Sequence, residues 1–364
     1  MTKKSFSLRN VVVIAICLAS VAMFMGCKKE NPDSPFVEGI GNSKSIRVQT
    51  PVDSLLGEIK QNYKSKKITF TPSEDAPSNL SSHAQGYARY RGSGYDYHIF
   101  AYSNVAGQQG YLYITGNQTF TLKVPNTVTR FKEVSHHQDA IYDPHFNHTC
   151  GIQVIGDYLV VPVIPSQTHL GIPSFYDAAI IYLYDLTSLK SSTPTAPIGK
   201  EILQVAEVNG GSLSGAGIID LPKGGYALGL MTDNNLDIYL STSNDIWNTP
   251  WNAMPKKYQL KASKGDNHYQ GIGLFLGEDE QVYVLGGDKR SGEDWVDLYQ
   301  LTNDTEWISN GQVKSKKEIH LTAHDASFYN GCAIEIKSRN EFIIYAVDDK
   351  YSGGGININW WDNK

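Results

Sequence analysis

The sequence predicts an all-β fold: a five-bladed β-propeller with four-stranded blades, closed by an N-terminal strand and preceded by a short N-terminal helix. A short signature recurs as Gly86-Tyr-Ala-Arg-Tyr, Gly151-Ile-Gln-Val-Ile, Gly217-Ile-Ile-Asp-Leu, Gly271-Ile-Gly-Leu-Phe and Gly331-Cys-Ala-Ile-Glu, at spacings of 65, 66, 54 and 60 residues. Further β-rich runs separated by turn residues follow each signature, which is the pattern of propeller blades. The fifth unit reaches Lys364 after its third run, while a spare run at 67–71 stands ahead of the first unit.

In chain order, Lys3, Lys4 and Arg9 precede an apolar run over 11–24. That run is short for a bilayer span and suits a signal h-region. It ends at Phe24-Met25-Gly26-Cys27, which resembles the lipobox of bacterial lipoproteins. The resemblance implies cleavage before Cys27, lipidation of its thiol, and an extracytoplasmic protein anchored to a bacterial membrane, with the outer membrane or cell surface as the address. Residues 1–26 are then the signal peptide. Residues 27–48, polar and carrying Pro32 and Pro35, read as a flexible tether. Cys150 and Cys332 are left for the folded part, in non-adjacent blades, and read as buried core thiols.

Residues 49–65 hold the helix signal. Thr50 can cap, Pro51 suits the first helical position, and Leu55, Leu56, Ile59 and Tyr63 recur at helical spacing. The propeller occupies 66–364. Second runs lie at 97–102, 158–163, 226–231, 281–285 and 341–347, and third runs at 110–115, 178–184, 236–240, 296–301 and 355–360. Fourth runs lie at 128–134, 201–208, 257–262 and 318–322. The fifth blade lacks its fourth strand, and 67–71 supplies it, since an open blade leaves an unpaired edge. A pair of β-sandwiches explains neither the spare run nor the missing one.

Ser243-Asn-Asp245-Ile-Trp247-Asn-Thr249-Pro-Trp251 is similar to the Asp box of sialidase-like propellers, with Trp247 where glycine is expected. Thr302-Asn-Asp304-Thr-Glu-Trp307 is a fainter echo. In those propellers the box is a folded turn away from the catalytic face, so the resemblance implies the fold and transfers no catalytic residue.

The net charge of −5 with mixed signs carries no nucleic-acid footprint, and 4 Cys exclude a disulfide scaffold. The sequence contains no nucleophile elbow, phosphate loop or Cys-His signature. Binding residues on a propeller gather where the loops entering first strands meet those leaving second strands. Three positions before each signature glycine stand His83, His148, Ser214, His268 and Phe328. After the second runs stand Asn104, Ser166 with Gln167, Asp233, Asp288 and Asp348. The candidate ligand-binding set is therefore His83, His148, His268, Asp233, Asp288 and Asp348, supplemented by the loop histidines His136, His137 and His145 and by the His324–Asp325 pair.

Three readings of that set stand side by side. Converging imidazoles suit a divalent metal, although no local spacing fixes a ligand set, and no cofactor is required. The ring could instead orient a polar ligand such as a glycan. Or each His and Asp simply bonds the backbone of its own turn, which leaves Asp288-Lys289-Arg290 a solvated loop. The corresponding functions are a monomeric ligand-binding lipoprotein, a hydrolase or lyase on the same face, and a structural or partner-binding lipoprotein without a small-molecule site.

Overall fold

The computed structural model describes residues 45–59, 61–71, 84–104, 109–125, 146–165, 178–205, 213–232, 235–254, 258–260, 269–301, 313–348 and 354–364. The readings made on residues 1–44, Cys27 included, lie outside them. Among the described residues no helix is long and apolar enough to cross a membrane.

The chain forms five antiparallel sheets, one per repeat. A strand β1 (Lys64–Thr69) precedes them. Blade one is β2 (Ala84–Gly92), β3 (Tyr95–Asn104), β4 (Gln109–Thr115) and β5 (Thr119–Lys123). Blade two begins as two pieces, β6 (Phe146–Thr149) and β7 (Gln153–Ile155), which both pair with β8 (Tyr158–Pro165). It continues through β9 (Ala179–Asp185) and β10 (Ile198–Val205). Blade three is β11 (Leu213–Asp220), β12 (Tyr226–Thr232), β13 (Asn235–Ser241) and a split outer strand, β14 (Trp251–Ala253) with β15 (Tyr258–Gln259). Blade four is β16 (Gly271–Leu276), β17 (Val282–Arg290), β18 (Glu293–Leu301) and β19 (Val313–Leu321). Blade five is β20 (Ser327–Ser338), β21 (Glu341–Val347) and β22 (Gly355–Asp362), with β1 as its outer strand.

Middle strands such as Ala-Ile-Ile-Tyr-Leu-Tyr in β9 are apolar on both sides because each blade is covered by neighbours on both faces. The core is accordingly divided into five apolar clusters, one in each seam between adjacent blades. Cys150 and Cys332 are buried in it as free thiols.

Ring closure takes place through β1, which runs antiparallel to β22 with Lys64 opposite Trp360 and Thr69 opposite Gly355. The closing strand thus starts three residues earlier than the run at 67–71. Phe70 extends the ladder, its N–H donating to the Gly354 carbonyl at 3.0 Å. Blade one also departs from expectation: its outer strand is Thr119–Lys123, paired with β4, and 128–134 lies outside the described residues. The short turn at Gly116 returns the chain at once, with Thr119 opposite Thr115, so the fourth strand follows the third directly.

The helix α1 (Val52–Gly57) is shorter than its signal, with Pro51 at the cap position and no side-chain cap. Thr50 therefore does not cap. Val52, Leu55 and Leu56 are buried in the seam between blades four and five, so the helix braces that seam. Ahead of it, Val48 bridges Gly277, Gln49 N–H reaches the Arg339 carbonyl, and Ser45 N–H reaches Asp220 Oδ1 at 2.9 Å. Residues 45–49 thus cross the turns between first and second strands of blades three, four and five. This side is termed the turn face, and the opposite side, where loops enter the first strands, the loop face.

The signature glycines are in contact at the axis. A β-carbon on Gly86 would stand 2.7 Å from the Cys150 carbonyl oxygen, and one on Gly151 would stand 2.6 Å from Gly271 Cα. In blade three the glycine in this ring is Gly215, bridged to Gly151, and not the expected Gly217 two residues later. Gly331 faces Gly86 and completes the circle. Only glycine lets five backbones approach this closely. The ring closes the channel at this level. Next to it, Gln153 stitches three blades: its Oε1 accepts from Ile218 N–H and Leu274 N–H, both at 3.0 Å, and its Nε2 donates to the Leu274 carbonyl at 2.7 Å.

Candidate functional site on the loop face

The glycine ring draws the starts of all five first strands together, and of the positions three residues ahead of it His148 and Phe328 are described, Phe328 being fully buried in the seam between blades four and five. His148 occupies this position in blade two, half-buried in β6 opposite Ile164. His83, His268 and Asp233 lie outside the described residues, as do His136, His137 and His145. Correcting the blade-three register moves its slot from Ser214 to Ser212, also outside them. Ser214 instead turns into its own blade, its hydroxyl donating to the Met231 carbonyl at 3.2 Å.

Asp348 ends β21. Its carboxylate accepts from Asn357 Nδ2 at 3.1 Å, and its N–H donates to the Asn357 carbonyl at 2.9 Å. Asp288 differs from the solvated-loop reading. It sits inside β17, 2% exposed, and its Oδ2 accepts from Arg290 Nε at 3.2 Å. Strand alternation explains this: residues 288 and 290 share one side of β17, which faces the seam with blade three.

Arg290 is the hub of a network that sequence reasoning missed. Besides Asp288, its guanidinium reaches Asp297 and, at 3.2 Å, Glu318 Oε1. Tyr269 and Tyr299 both donate towards Asp297, and their hydroxyl oxygens are 2.5 Å apart. The guanidinium carbon lies 5.8 Å from the centre of the Trp295 ring. Burial raises the Asp288 carboxyl above its ordinary value, and Arg290 works in the opposite direction. The alternation of Asp288 with Arg290, and of Trp295 with Asp297, was the available signal for a polar seam.

Other described polar groups on this face clasp adjacent blades. Thr149 N–H donates to Ser103 Oγ at 2.9 Å across blades one and two. Asp294 Oδ1 accepts from Ser327 Oγ at 3.0 Å and Phe328 N–H at 2.9 Å across blades four and five. Burial raises the Asp294 carboxyl, against the pull of those two donors. His324 pairs with Asp325 at 2.7 Å on the surface and stacks on Tyr63. Among the described residues no group of three or more His, Cys, Asp or Glu side chains is placed to hold a metal ion.

The Asp-box-like segment forms a closed turn after β13. Asp245 Oδ1 accepts from Trp247 N–H at 3.0 Å, and Thr249 Oγ1 accepts from Thr242 N–H at 2.9 Å. It locks the turn into the outer strand and presents no reactive constellation. Its echo at 302–307 lies outside the described residues.

No protein-family model matches the sequence, and no curated protein matches it. Solved structures with a similar backbone include an engineered GH43 glycoside hydrolase displaying both endo-xylanase and exo-arabinofuranosidase activity, at 10% identity and TM-score 0.45, covering 80% of this chain and 51% of that one. The GH43_1 enzyme from Xanthomonas citri complexed with xylose is similar at 7% identity and TM-score 0.43, covering 85% of this chain and 92% of that one. A protein of unknown function from Dyadobacter fermentans is similar at 13% identity and TM-score 0.37, covering 83% and 74%. The chain spans about half the length of the first of these. At such identities the similarity concerns the fold.

Proposed function

We propose that this chain is a lipid-anchored, extracytoplasmic propeller that binds a polar ligand on its loop face, with a glycan as the ligand class. What supports this reading is the shared sequence slot of His83, His148 and His268, three residues ahead of the signature glycines, together with the contact of the signature glycines at the axis. The glycine contacts would give such a site a closed floor, and ligand sites on rigid scaffolds are concave. In this reading His83, His148 and His268 supply donors and acceptors, together with Asp233 and Asp348. Asp288 acts behind them through Arg290.

A glycan array probed with the purified chain, followed by calorimetry on the best binder, tests this reading. Changing His83 and His148 together to Ala is expected to abolish binding while the melting temperature stays within about a degree. A drop in stability of about 1 kcal/mol per lost hydrogen bond, with binding retained, would instead assign these histidines to their own turns.

A hydrolase or lyase on the same face is the second reading, supported by the burial-raised carboxyl of Asp288 near the loop face. Glycoside hydrolysis needs one such acid and a second carboxylate about 5–9.5 Å away. Release of reducing sugar from a bound glycan separates it from pure binding, and metal analysis of the purified chain tests a bound divalent ion. The anchor has its own test: Cys27→Ser should move the protein from the membrane fraction to the soluble one. Unchanged partitioning sinks the lipobox reading.

A further inference from the structure

On the turn-face side of the glycine ring, the channel opens into a cavity of about 250 Å³ that the loop-face reading does not use. The ends of the first strands of blades one, two, four and five line it, and Ser45 and Ile46 complete its wall. One part of the lining is apolar, from Ile152, Leu274 and Ile334. Another is aromatic: the rings of Tyr90 and Tyr95 lie 4.9 Å apart.

The charges in the lining are balanced in pairs. Arg89 gives Nε and Nη2 to Asp96 at 2.8 and 2.6 Å and Nη1 to Tyr345 Oη at 3.1 Å, so its fork is fully used. Arg91 Nε pairs with Glu335, whose other oxygen accepts from Tyr345 Oη at 2.6 Å. His98 sits behind this group, with Nδ1 2.7 Å from Tyr87 Oη; burial, with repulsion from Arg89, holds it down to about 4, so it is neutral at pH 7. Two polar groups remain over among the described residues of the lining: Arg91 Nη2 and Ser45 Oγ are buried without a hydrogen-bond partner. A buried donor left unmade is costly, and a ligand oxygen would satisfy it.

Because each guanidinium already has its carboxylate, a charged ligand would bring an unbalanced charge into a partly desolvated space. A hydroxyl oxygen answers Arg91 Nη2 without that cost, and a C–H face suits the aromatic and apolar walls. The volume is below the roughly 300–1,000 Å³ of drug-sized pockets. We propose that this cavity is a second binding site, for a neutral, hydroxyl-rich molecule of monosaccharide size, held by a hydrogen bond from Arg91 Nη2.

Calorimetry on the full chain with glucose, galactose, mannose, arabinose, glycerol and myo-inositol, alongside glucuronate and glucosamine, tests the site. At least one neutral probe should bind saturably, and the charged pair should not. Arg91→Met should weaken that binding about tenfold or more. Ile334→Trp, which fills the cavity while leaving the Arg91–Glu335 pair intact, should abolish it. Loss in Ile334→Trp, with every loop-face histidine in place, also separates this site from the loop face. Should Arg91→Met fail to fold, Ile334→Trp decides alone. The proposal is overturned if no neutral probe binds, if only glucuronate or glucosamine binds, or if binding survives in folded Ile334→Trp.

Discussion

A chain lacking residues 1–71 should lose its cooperative unfolding transition, whereas a chain beginning at Ser45 should melt where the full chain does. The reason is the position of β1. It supplies the outer strand of the last blade, paired along its whole length with β22. Ile68 and Phe70 are 5% and 6% exposed, and they pack with Ile356, Ile358 and Tyr345 of blade five and with Phe100 and Tyr113 of blade one. Burying two such side chains contributes about 1.5–3 kcal/mol each. Removing the strand also bares the edge of β22, where unpaired backbone groups invite aggregation. Loss of α1 with the same deletion uncovers the seam between blades four and five. Together these losses approach the roughly 5–15 kcal/mol by which a domain is stable. The truncation at Ser45 retains every one of those contacts. Thermal melts followed by circular dichroism compare the two chains, and coincident transitions would refute closure by β1.

Arg290→Leu is the point substitution with the largest expected cost, about 3–5 kcal/mol in urea unfolding at pH 7.5. Asp288 is 2% exposed and Asp297 is fully buried, so removing the cation strands both carboxylates away from water. The deficit should shrink on acidification. Without Arg290 the Asp288 carboxyl, already raised by burial, rises further above its unfolded value, which is about 3.9, so the folded variant binds more protons than its unfolded chain and its stability falls as pH rises. Repeating the unfolding at pH 4.5 should therefore narrow the gap to wild type. A pH-independent gap would show that the loss comes from packing of the long side chain over Trp295 and not from charge. Restoring a compact apolar seam with Arg290→Leu combined with Asp288→Leu and Asp297→Leu should recover much of the stability, because a buried ion network is weak as a source of net stability.

Much of the architecture was legible from residue order. Repeated glycine signatures, continuous apolar runs and one unmatched strand are local patterns, and local patterns encode strands directly. Blade number, ring closure by a strand ahead of the first unit, the unpaired buried state of Cys150 and Cys332, and the Asp-box-like turn after β13 all follow from them. Boundaries were less secure, because hydrophobicity does not distinguish Gly215 from Gly217 when both precede an apolar run. Only backbone contact at the axis selects Gly215.

Side-chain partnership across blades was not legible. Asp288-Lys289-Arg290 reads as a charged loop until the pairing of β17 with β18 places Asp297 beside it. Gln153 looks like an ordinary polar residue in a strand until the axis brings Ile218 and Leu274 within hydrogen-bond reach. Arg89 and Arg91 meet Glu335 and Tyr345 across 244 to 256 residues of chain. The physical reason is common to all three. A strand's own periodicity sets which side a residue takes, but what covers that side comes from a neighbouring blade, often far away in the chain, and only closure of the ring brings the two together.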